Sequence, residues 1–304
     1  AWARQQENIG GPLPPGWSAA HSMDVMRGFG YAARRTGDRA IWGVKHRSAP
    51  LGFLLFHASF FLVCGGGAIL YYTRFRGTVV LTEGQRFEGT FTSVQRMPPL
   101  GGPPRLAFEV VGIDPRRVGN EPVYLGATIR FISPGGATVD RPARVNAPAR
   151  WGSSTLLVES AGVSAVFWLQ DANGFTLDRV AVPARAESGG TPTEAPLAAG
   201  RLAVRVHPLA ADQPFPSRDG LAAASLRVEL VEIPGEKILF DRSLRAGQVA
   251  EAGGVRLVFQ ETRFWVQVMV VAERGGGLLI AGFVLGTLGV TWRLLLYRRE
   301  VGLT

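Results

Sequence analysis

His57 is the ionisable side chain in the most unusual setting of this sequence. It lies within residues 51–72, LGFLLFHASFFLVCGGGAILYY, which carry no formal charge. An imidazole in a long apolar segment is costly to bury without a partner, so it is a candidate functional group. Its Nε2 atom could coordinate haem iron, or the ring could hydrogen-bond to another helix. The residue types leave both interpretations open.

Four aromatic side chains surround His57 at helical spacing: Phe53, Phe56, Phe60 and Phe61. They would form the flat apolar wall that a porphyrin needs, and they would equally suit lipid. Cys64 lies on nearly the same face, but Gly65, Gly66 and Gly67 beside it indicate close helix packing. If the group at this site is haem, His57 is the candidate iron ligand, and Phe53, Phe60 and Phe61 are weaker candidates for packing against the porphyrin; a structural hydrogen bond of His57 to another helix stays the alternative.

The remaining histidines offer no second site of this kind. His21, His46 and His207 are too dispersed for a zinc or copper cluster, and His207 is expected to be exposed on the polar face of a strand. No GxSxG, HExxH or Walker sequence is present. We therefore expect no catalytic residues, no metal other than haem iron, and no activity as an autonomous enzyme.

Two apolar stretches must position these residues. A hydrocarbon core about 30 Å thick needs about 20 apolar residues of helix to cross it. Residues 51–72 and 275–297 both reach this length, and the second carries only Arg293, near its far end, where the side chain can extend to the headgroups. The pattern predicts a membrane protein with two transmembrane helices.

Basic residues flank both stretches on their outer ends. Before the first stand Arg34, Arg35, Arg39, Lys45 and Arg47 against Asp38, and after the second come Arg298 and Arg299 against Glu300. The positive-inside rule then predicts that the segments 1–50 and 298–304 are cytoplasmic and that the loop between the helices is periplasmic, as in a bacterial inner-membrane protein.

The segment before the first helix, residues 1–50, has no signal-peptide pattern. Either the first helix acts as an uncleaved signal anchor, or further membrane helices precede residue 1. Gly10–Gly16 reads as a linker. Beyond it, HSMDVMRGFGYAARR is weakly amphipathic, which fits an interfacial helix and a soluble turn of helix about equally.

The loop between the helices is predicted to be mainly β. RLAVRVHPL and LRVELVEI alternate apolar and polar residues, and turn sequences occur at residues 133–136, 171–174 and 233–236. These features predict an antiparallel sandwich or open barrel. A Pro-rich and small-residue segment, residues 183–200, is expected to be a linker between one lobe at 73–182 and another at 201–274.

Composition narrows the function classes further. The net charge is +9, but the arginines are scattered and no basic stripe interleaved with aromatics appears, so nucleic acid is not expected as a partner. The single cysteine lies in the first apolar stretch, so the β domain has no disulfide of its own and depends on its core.

The order of these features resembles the ResB-like family, the ResB/CcsB-type proteins of System II cytochrome c biogenesis. The resemblance rests first on a basic segment before the first apolar stretch and on a Leu-Gly-x-x-x-x-His-x-Ser pattern that begins at Leu51. After that stretch, Phe-Arg-Gly leads into Leu-Thr-Glu-Gly, and Val-Asn-x-Pro follows at residues 145–148. A final strand, a Gly-rich entry into a last helix and an Arg-rich tail are similar too. Earlier hydrophobic helices that the family generally has are not seen here.

This resemblance implies a membrane component that assists haem transfer and attachment to apocytochromes together with a haem-handling partner of the CcsA/ResC type. It also implies that the family's helix histidine corresponds to His57, with the opposite axial ligand supplied by another subunit. A noncatalytic accessory subunit that braces a larger respiratory or photosynthetic membrane complex is the alternative. A third possibility, an extracytoplasmic ligand sensor, is disfavoured by the short tail after Arg299.

Overall fold

The structure, a computed structural model, describes residues 18–36, 40–118, 121–185, 191–209 and 216–303. The Gly10–Gly16 linker and the flanking charges Asp38 and Arg39 lie outside these residues. In chain order the elements are α1 (Ala19–Gly28), β1 (Ala32–Arg35), β2 (Ile41–Lys45), α2 (Ala49–Thr73), β3 (Phe75–Thr82), β4 (Arg86–Phe87), β5 (Ser93–Arg96), β6 (Phe108–Val118), β7 (Glu121–Ile132), β8 (Thr138–Arg144), β9 (Ala149–Trp151), β10 (Ser154–Gln170), β11 (Thr176–Pro183), β12 (Thr193–Leu197), β13 (Leu202–Val206), β14 (Ser225–Glu232), β15 (Lys237–Arg245), β16 (Val249–Ala252), β17 (Val255–Ala272), α3 (Gly276–Leu295) and β18 (Arg299–Leu303).

The predicted fold class is confirmed. Two helices long and apolar enough to cross a membrane, α2 with 25 residues and α3 with 20, flank a β domain whose strand pairings are antiparallel. The chain divides into two compact units: residues 1–70 with 275–304, here called the helical unit, and residues 71–274, here called the β unit.

The helical unit is built on close contact between α2 and α3. Gly52, Ser59 and Gly66 are buried and follow one another at seven-residue spacing, so they lie on one face of α2. A Cβ atom added to Gly66 would lie 2.9 Å from the backbone nitrogen of Leu279, and one added to Gly289 would lie 2.6 Å from that of Phe56. Only residues without a side chain allow backbones to approach so closely.

A small sheet joins the outer ends of the two helices. Its strand order is β1-β2-β18, so β2, just before α2, pairs with β18, just after α3. The indole of Trp292 also donates a hydrogen bond to the Ser48 carbonyl at 3.0 Å. The outer ends of both helices therefore lie together, as two crossings require.

This sheet corrects two expectations from the sequence. The amphipathic segment is helical only as far as Gly28, and its last residues form β1. Residues 298–304, for which only a cytoplasmic tail was expected, contain β18. Neither strand was predicted because four or five residues with mixed polarity carry no clear alternation, and only pairing with β2 makes them strands.

In its described residues, the β unit contains three sheets. The largest has the order β11-β10-β17-β3-β5, with β16 on β17 and β9 on β10, and the other two have the orders β4-β6-β7-β8 and β12-β13-β14-β15. The long strands β10 and β17 pair from Ser154–Ala272 at one end to Gln170–Arg256 at the other. They are the two longest strands of the unit, and they pair along most of their length.

One hydrophobic core serves all three sheets. Its largest fully buried side chains include five phenylalanines, Phe108, Phe131, Phe167, Phe259 and Phe264. Val204, Val228 and Leu230 from β13 and β14 belong to the same buried cluster. The apolar faces predicted for these two strands are therefore confirmed as core.

The predicted turns are found where the sequence indicates them. The Asn-Gly turn joins β10 to β11, with the Asp171 carboxylate accepting from the backbone N–H groups of Asn173 and Phe175 at 2.9 and 2.8 Å. Residues 133–136 join β7 to β8, and residues 233–236 join β14 to β15. Each turn connects antiparallel neighbours.

The arrangement differs from the expected division into lobes at 73–182 and 201–274. Residues 183–200, predicted to be a linker, include the strand β12, which pairs with β13 (residues 186–190 are not described). The strand β17, placed in the second lobe, pairs with β3 and β10 of the first. Composition alone could not reveal this, because long-range strand pairing decides which sheet a segment joins.

Candidate functional site

His57 lies on the face of α2 that α3 does not cover. At 100° per residue it is about 140° around the helix from Gly52, which packs against α3. His57 is exposed, as is Cys64 one heptad later, whereas Gly52, Ser59 and Gly66 on the packed face are buried. The helix hairpin therefore leaves the imidazole available to whatever surrounds α2.

One ring nitrogen of His57 is bonded within its own helix. The Nδ1 atom lies 2.8 Å from the carbonyl oxygen of Phe53, one turn earlier. A carbonyl oxygen only accepts, so Nδ1 must carry the proton in this hydrogen bond, and the lone pair of the neutral ring is then on Nε2. Among the residues that the structure describes, none bonds to Nε2.

Metal-bound histidines are commonly arranged in the same way. A ligating imidazole usually donates its second N–H to a backbone carbonyl or a carboxylate, which fixes the tautomer and the ring orientation. The same bond also lowers the cost of placing an imidazole in apolar surroundings, because it satisfies one of the two polar atoms. The geometry therefore fits a metal ligand and leaves Nε2 unsatisfied if no ligand or partner binds.

Three of the four aromatic side chains predicted around His57 make ring contacts with it. The rings of Phe53 and Phe60 lie with centroids 3.9 and 6.2 Å from that of His57, and Phe56 lies 5.6 Å away in an edge-on arrangement. Phe61 makes no ring contact with His57 and is 81% exposed. His57 thus sits among Phe53, Phe56 and Phe60, while Phe61 extends the same apolar surface outward.

Arg293 of α3 is a neighbour of this cluster that sequence reasoning did not place there. Its guanidinium carbon lies 5.8 Å from the centroid of the Phe53 ring, at cation–π distance. The sequence suggested only that Arg293 extends to the headgroups. The antiparallel pairing of α2 and α3, signalled by glycines at 282 and 289 and by Gly52, Ser59 and Gly66 at the same seven-residue spacing, could have indicated the contact.

The β unit holds a cleft of about 490 Å³. It is lined by residues 100–106 and 151–154, by Thr73 and Phe75, and by residues 272–274. Its charged groups are Arg105, Glu273 and Arg274, and Glu273 also lies 3.6 Å from Arg74. This lining offers hydrogen bonds and positive charge, and in the described part of the chain no group of three or more His, Cys, Asp or Glu could hold a metal ion.

His207 differs from its expected exposed position. Its Nε2 atom lies 2.6 Å from a carboxylate oxygen of Glu229, which is buried, and its side chain is only 23% exposed. His207 directly follows β13, and its backbone N–H still donates to the Arg227 carbonyl of β14, the strand that carries Glu229. This is why a residue expected on the polar face acquires a partner. We interpret this pair as structural.

Charge pairs cross the outer faces of the smaller sheets. Arg227 donates to both carboxylate oxygens of Asp241, and Arg130 does the same to Asp140, at 2.7–2.9 Å. These hydrogen bonds lower the pKa of both carboxyl groups and raise the pKa of both arginines. Arg130 and Asp140 lie directly opposite each other on β7 and β8, and Arg227 and Asp241 lie diagonally across β14 and β15.

Two helices apolar enough to cross a membrane, one with an outward-facing histidine, joined to an antiparallel β domain, are the features of a membrane-associated protein. The family model for the ResB-like family matches residues 4–165, just over half of the chain. The chain therefore belongs to the ResB-like family, and this membership implies a role in cytochrome c biogenesis in general. No curated protein matches the chain significantly.

The extent of the match refines the resemblance seen in the sequence. The match begins before Gly30 and includes α2 with His57, but it ends within β10. The last strand, the Gly-rich entry and α3 lie outside it, so their similarity to the family stays a prediction.

Proposed function

We propose that this chain is a ResB-like component of cytochrome c biogenesis that contributes His57 as an axial ligand to haem b within the membrane. The observation that carries the proposal is the Nδ1 hydrogen bond to the Phe53 carbonyl, which leaves the Nε2 lone pair on the uncovered face of α2. Haem iron, when bound, would supply an acceptor for that lone pair.

The chain's own residues would then hold and shield the group. Phe53 and Phe60 offer flat apolar surface beside the imidazole, and Phe61 extends it. Arg293 places a positive charge beside Phe53, which would favour carboxylates on a bound ligand. One histidine supplies one axial ligand, so the opposite ligand would come from a partner membrane protein of the CcsA/ResC type.

The proposed location follows from the charges beside the helices. Arg34, Arg35, Lys45 and Arg47 precede α2, and Arg298 and Arg299 follow α3. We place these ends in the cytoplasm of a bacterium and the β unit in the periplasm. A membrane-impermeant thiol reagent should label a cysteine introduced at Phe175 of the β unit in intact spheroplasts. Labelling only after lysis would contradict this orientation.

The test of haem ligation uses the full chain purified with its partner. The wild-type complex should show the absorption spectrum of a bis-imidazole haem, and His57→Ala should abolish it while the protein still accumulates. Imidazole added to His57→Gly should restore the spectrum, because free imidazole can occupy the space that the side chain leaves. A purely structural histidine would not produce this rescue.

Cys64→Ser is the matched control for His57. Cys64 lies on nearly the same face one heptad later, so its replacement tests whether any polar change on this surface disturbs the complex. We expect its haem content to equal that of wild type. If His57→Ala also keeps full haem content and cytochrome maturation, the proposed ligand role is wrong.

A noncatalytic accessory subunit that braces a larger respiratory or photosynthetic complex is the second candidate. The observation that favours it is the uncovered aromatic face of α2, which equally suits a neighbouring helix. It predicts stoichiometric co-purification with such a complex, failed assembly of the complex without this chain, and no haem at His57.

A further inference from the structure

Two exposed apolar side chains stand out in the connection between β5 and β6. The connection begins with MPPLGGPPRL, residues 97–106, here called the proline loop. Met97 is 53% exposed and Leu100 is 64% exposed. Neither side chain is covered by the core of the β unit, so both are available to a further apolar environment.

The proline loop is tied to the end of α2. The backbone N–H of Leu100 donates to the carbonyl of Tyr72 at 3.0 Å. Just before the loop, Arg96 donates to the carbonyl of Tyr71 at 3.1 Å, and its guanidinium carbon lies 5.1 Å from the centroid of the Tyr71 ring. All of these residues belong to the β unit, and Tyr71 and Tyr72 are also in the last turn of α2.

These bonds fix the depth of the loop relative to the apolar stretch. Tyr71 and Tyr72 are the last residues of that stretch, and tyrosines at such ends lie at the boundary between lipid and water. A residue bonded directly to the Tyr72 carbonyl must lie at nearly the same depth. We infer that Met97 and Leu100 insert into the lipid interface at this end of α2, giving the β unit a membrane contact besides its two chain connections.

The composition of the loop suits that environment. Four of its ten residues are proline, at positions 98, 99, 103 and 104. Proline has no N–H group that would need a partner in lipid, and its fixed φ limits the conformations that the loop would lose on insertion. The inference requires α2 to cross the membrane, but it does not depend on haem ligation.

The far end of the β unit provides a matched control. Phe175, in the turn between β10 and β11, is 71% exposed, similar to Leu100. The 17 residues of β10 separate this turn from Ser154, which pairs with Ala272 just before α3. At about 3.3 Å per residue, the turn lies about 50 Å from that end of the sheet.

The experiment places an environment-sensitive fluorophore on single cysteines in the full chain with Cys64→Ser. The positions are Met97→Cys, Leu100→Cys, Tyr72→Cys to set the depth scale, and Phe175→Cys as control. Each protein is reconstituted in phosphatidylcholine nanodiscs with and without lipid spin-labelled near the headgroup. We expect the spin label to quench positions 97 and 100 several-fold more than position 175, and about as much as position 72.

Quenching at 97 and 100 that only equals quenching at 175 would overturn the inference, and would indicate that the loop faces water or a protein partner. Absence of quenching at 72 would also overturn it, because α2 would then not end at a lipid interface. All four substituted side chains are exposed, so loss of folding is not expected, and circular dichroism of each labelled protein checks this.

Discussion

The two units of this chain distribute large and small residues in opposite ways. In the β unit, Phe108 and Phe167 are fully buried, and the glycines with positive φ lie mainly in turns. In the helix pair, Gly52, Gly66, Gly282 and Gly289 are buried, while Phe53, Phe60 and Phe61 are 46%, 50% and 81% exposed.

This opposite placement of large and small residues indicates that each unit is stabilised by a different kind of interaction. The β unit removes its aromatic side chains from water, which is the ordinary hydrophobic drive to fold. The helix pair gains little by burying phenylalanine if its surroundings are as apolar as phenylalanine itself, so it gains stability from close backbone contact instead. The outward aromatic surface of α2 is therefore a surface for lipid, a cofactor or a partner helix.

The largest expected effect comes from truncating a phenylalanine in each unit. Phe167→Ala should lower the free energy of unfolding of the β unit by about 3–5 kcal/mol, because it leaves a cavity beside Phe259. Phe61→Ala, on the exposed face of α2, should cost little of the chain's stability. Denaturant titration in detergent, followed by tryptophan fluorescence, measures both. Equal losses would contradict the contrast between the units.

A smaller effect is expected from enlarging a glycine of the helix pair. Gly66→Leu must displace the backbone of α3 and should destabilise the pair by about 1–3 kcal/mol. Its neighbour Gly65 has nothing within 4 Å of an added Cβ, so Gly65→Leu is the control and should be tolerated. Thermal unfolding in detergent compares them. If the two variants are equally stable, α2 and α3 do not pack through this face.

The smallest effect is expected from acid, and it should act on the β unit alone. Hydrogen bonds from Arg227 hold the pKa of Asp241 below its ordinary value of 3.8. The ionised form therefore stabilises the fold above about pH 4, and that contribution is lost as the pH falls through the lowered pKa. Because the pair is exposed, the loss should be small.

Asp241→Asn should remove this part of the pH dependence. Thermal unfolding of wild type and variant would be compared at pH 7 and at pH 3, and the difference between them should shrink at the lower pH. A difference that grows on acidification would have the wrong sign for a carboxyl group with a lowered pKa. The apolar spans contain no carboxyl group, so the helix pair should not respond.

Local patterns were enough to predict much of the fold. Long apolar runs predicted the two helices to within two residues at each end, and the Asn-Gly turn after Asp171 predicted the β10–β11 hairpin. Both depend on interactions within a few residues along the chain. The membership of β17 in the sheet of β3 and β10 could not be predicted in this way, because its partners lie about a hundred residues or more away in sequence.

The candidate site was predictable only where it depends on residues that are close together in the sequence. An imidazole in an apolar run identifies His57 directly, and helical spacing places Phe53 and Phe60 near it. The approach of Arg293 to Phe53 depends on how α2 and α3 pack, and the pairing of His207 with Glu229 depends on the register of β13 and β14. The seven-residue spacing of small residues on both helices points to the first contact, whereas no local pattern indicates the second.

The amino-acid sequence by itself determined the two apolar helices, the antiparallel character of the domain between them and the position of His57, because each follows from hydrophobicity at short range. Only the tertiary structure decided which face of α2 stays open and that residues 97–106 meet the end of α2. These depend on contacts between distant segments, whose geometry is set by packing and strand pairing rather than by local pattern.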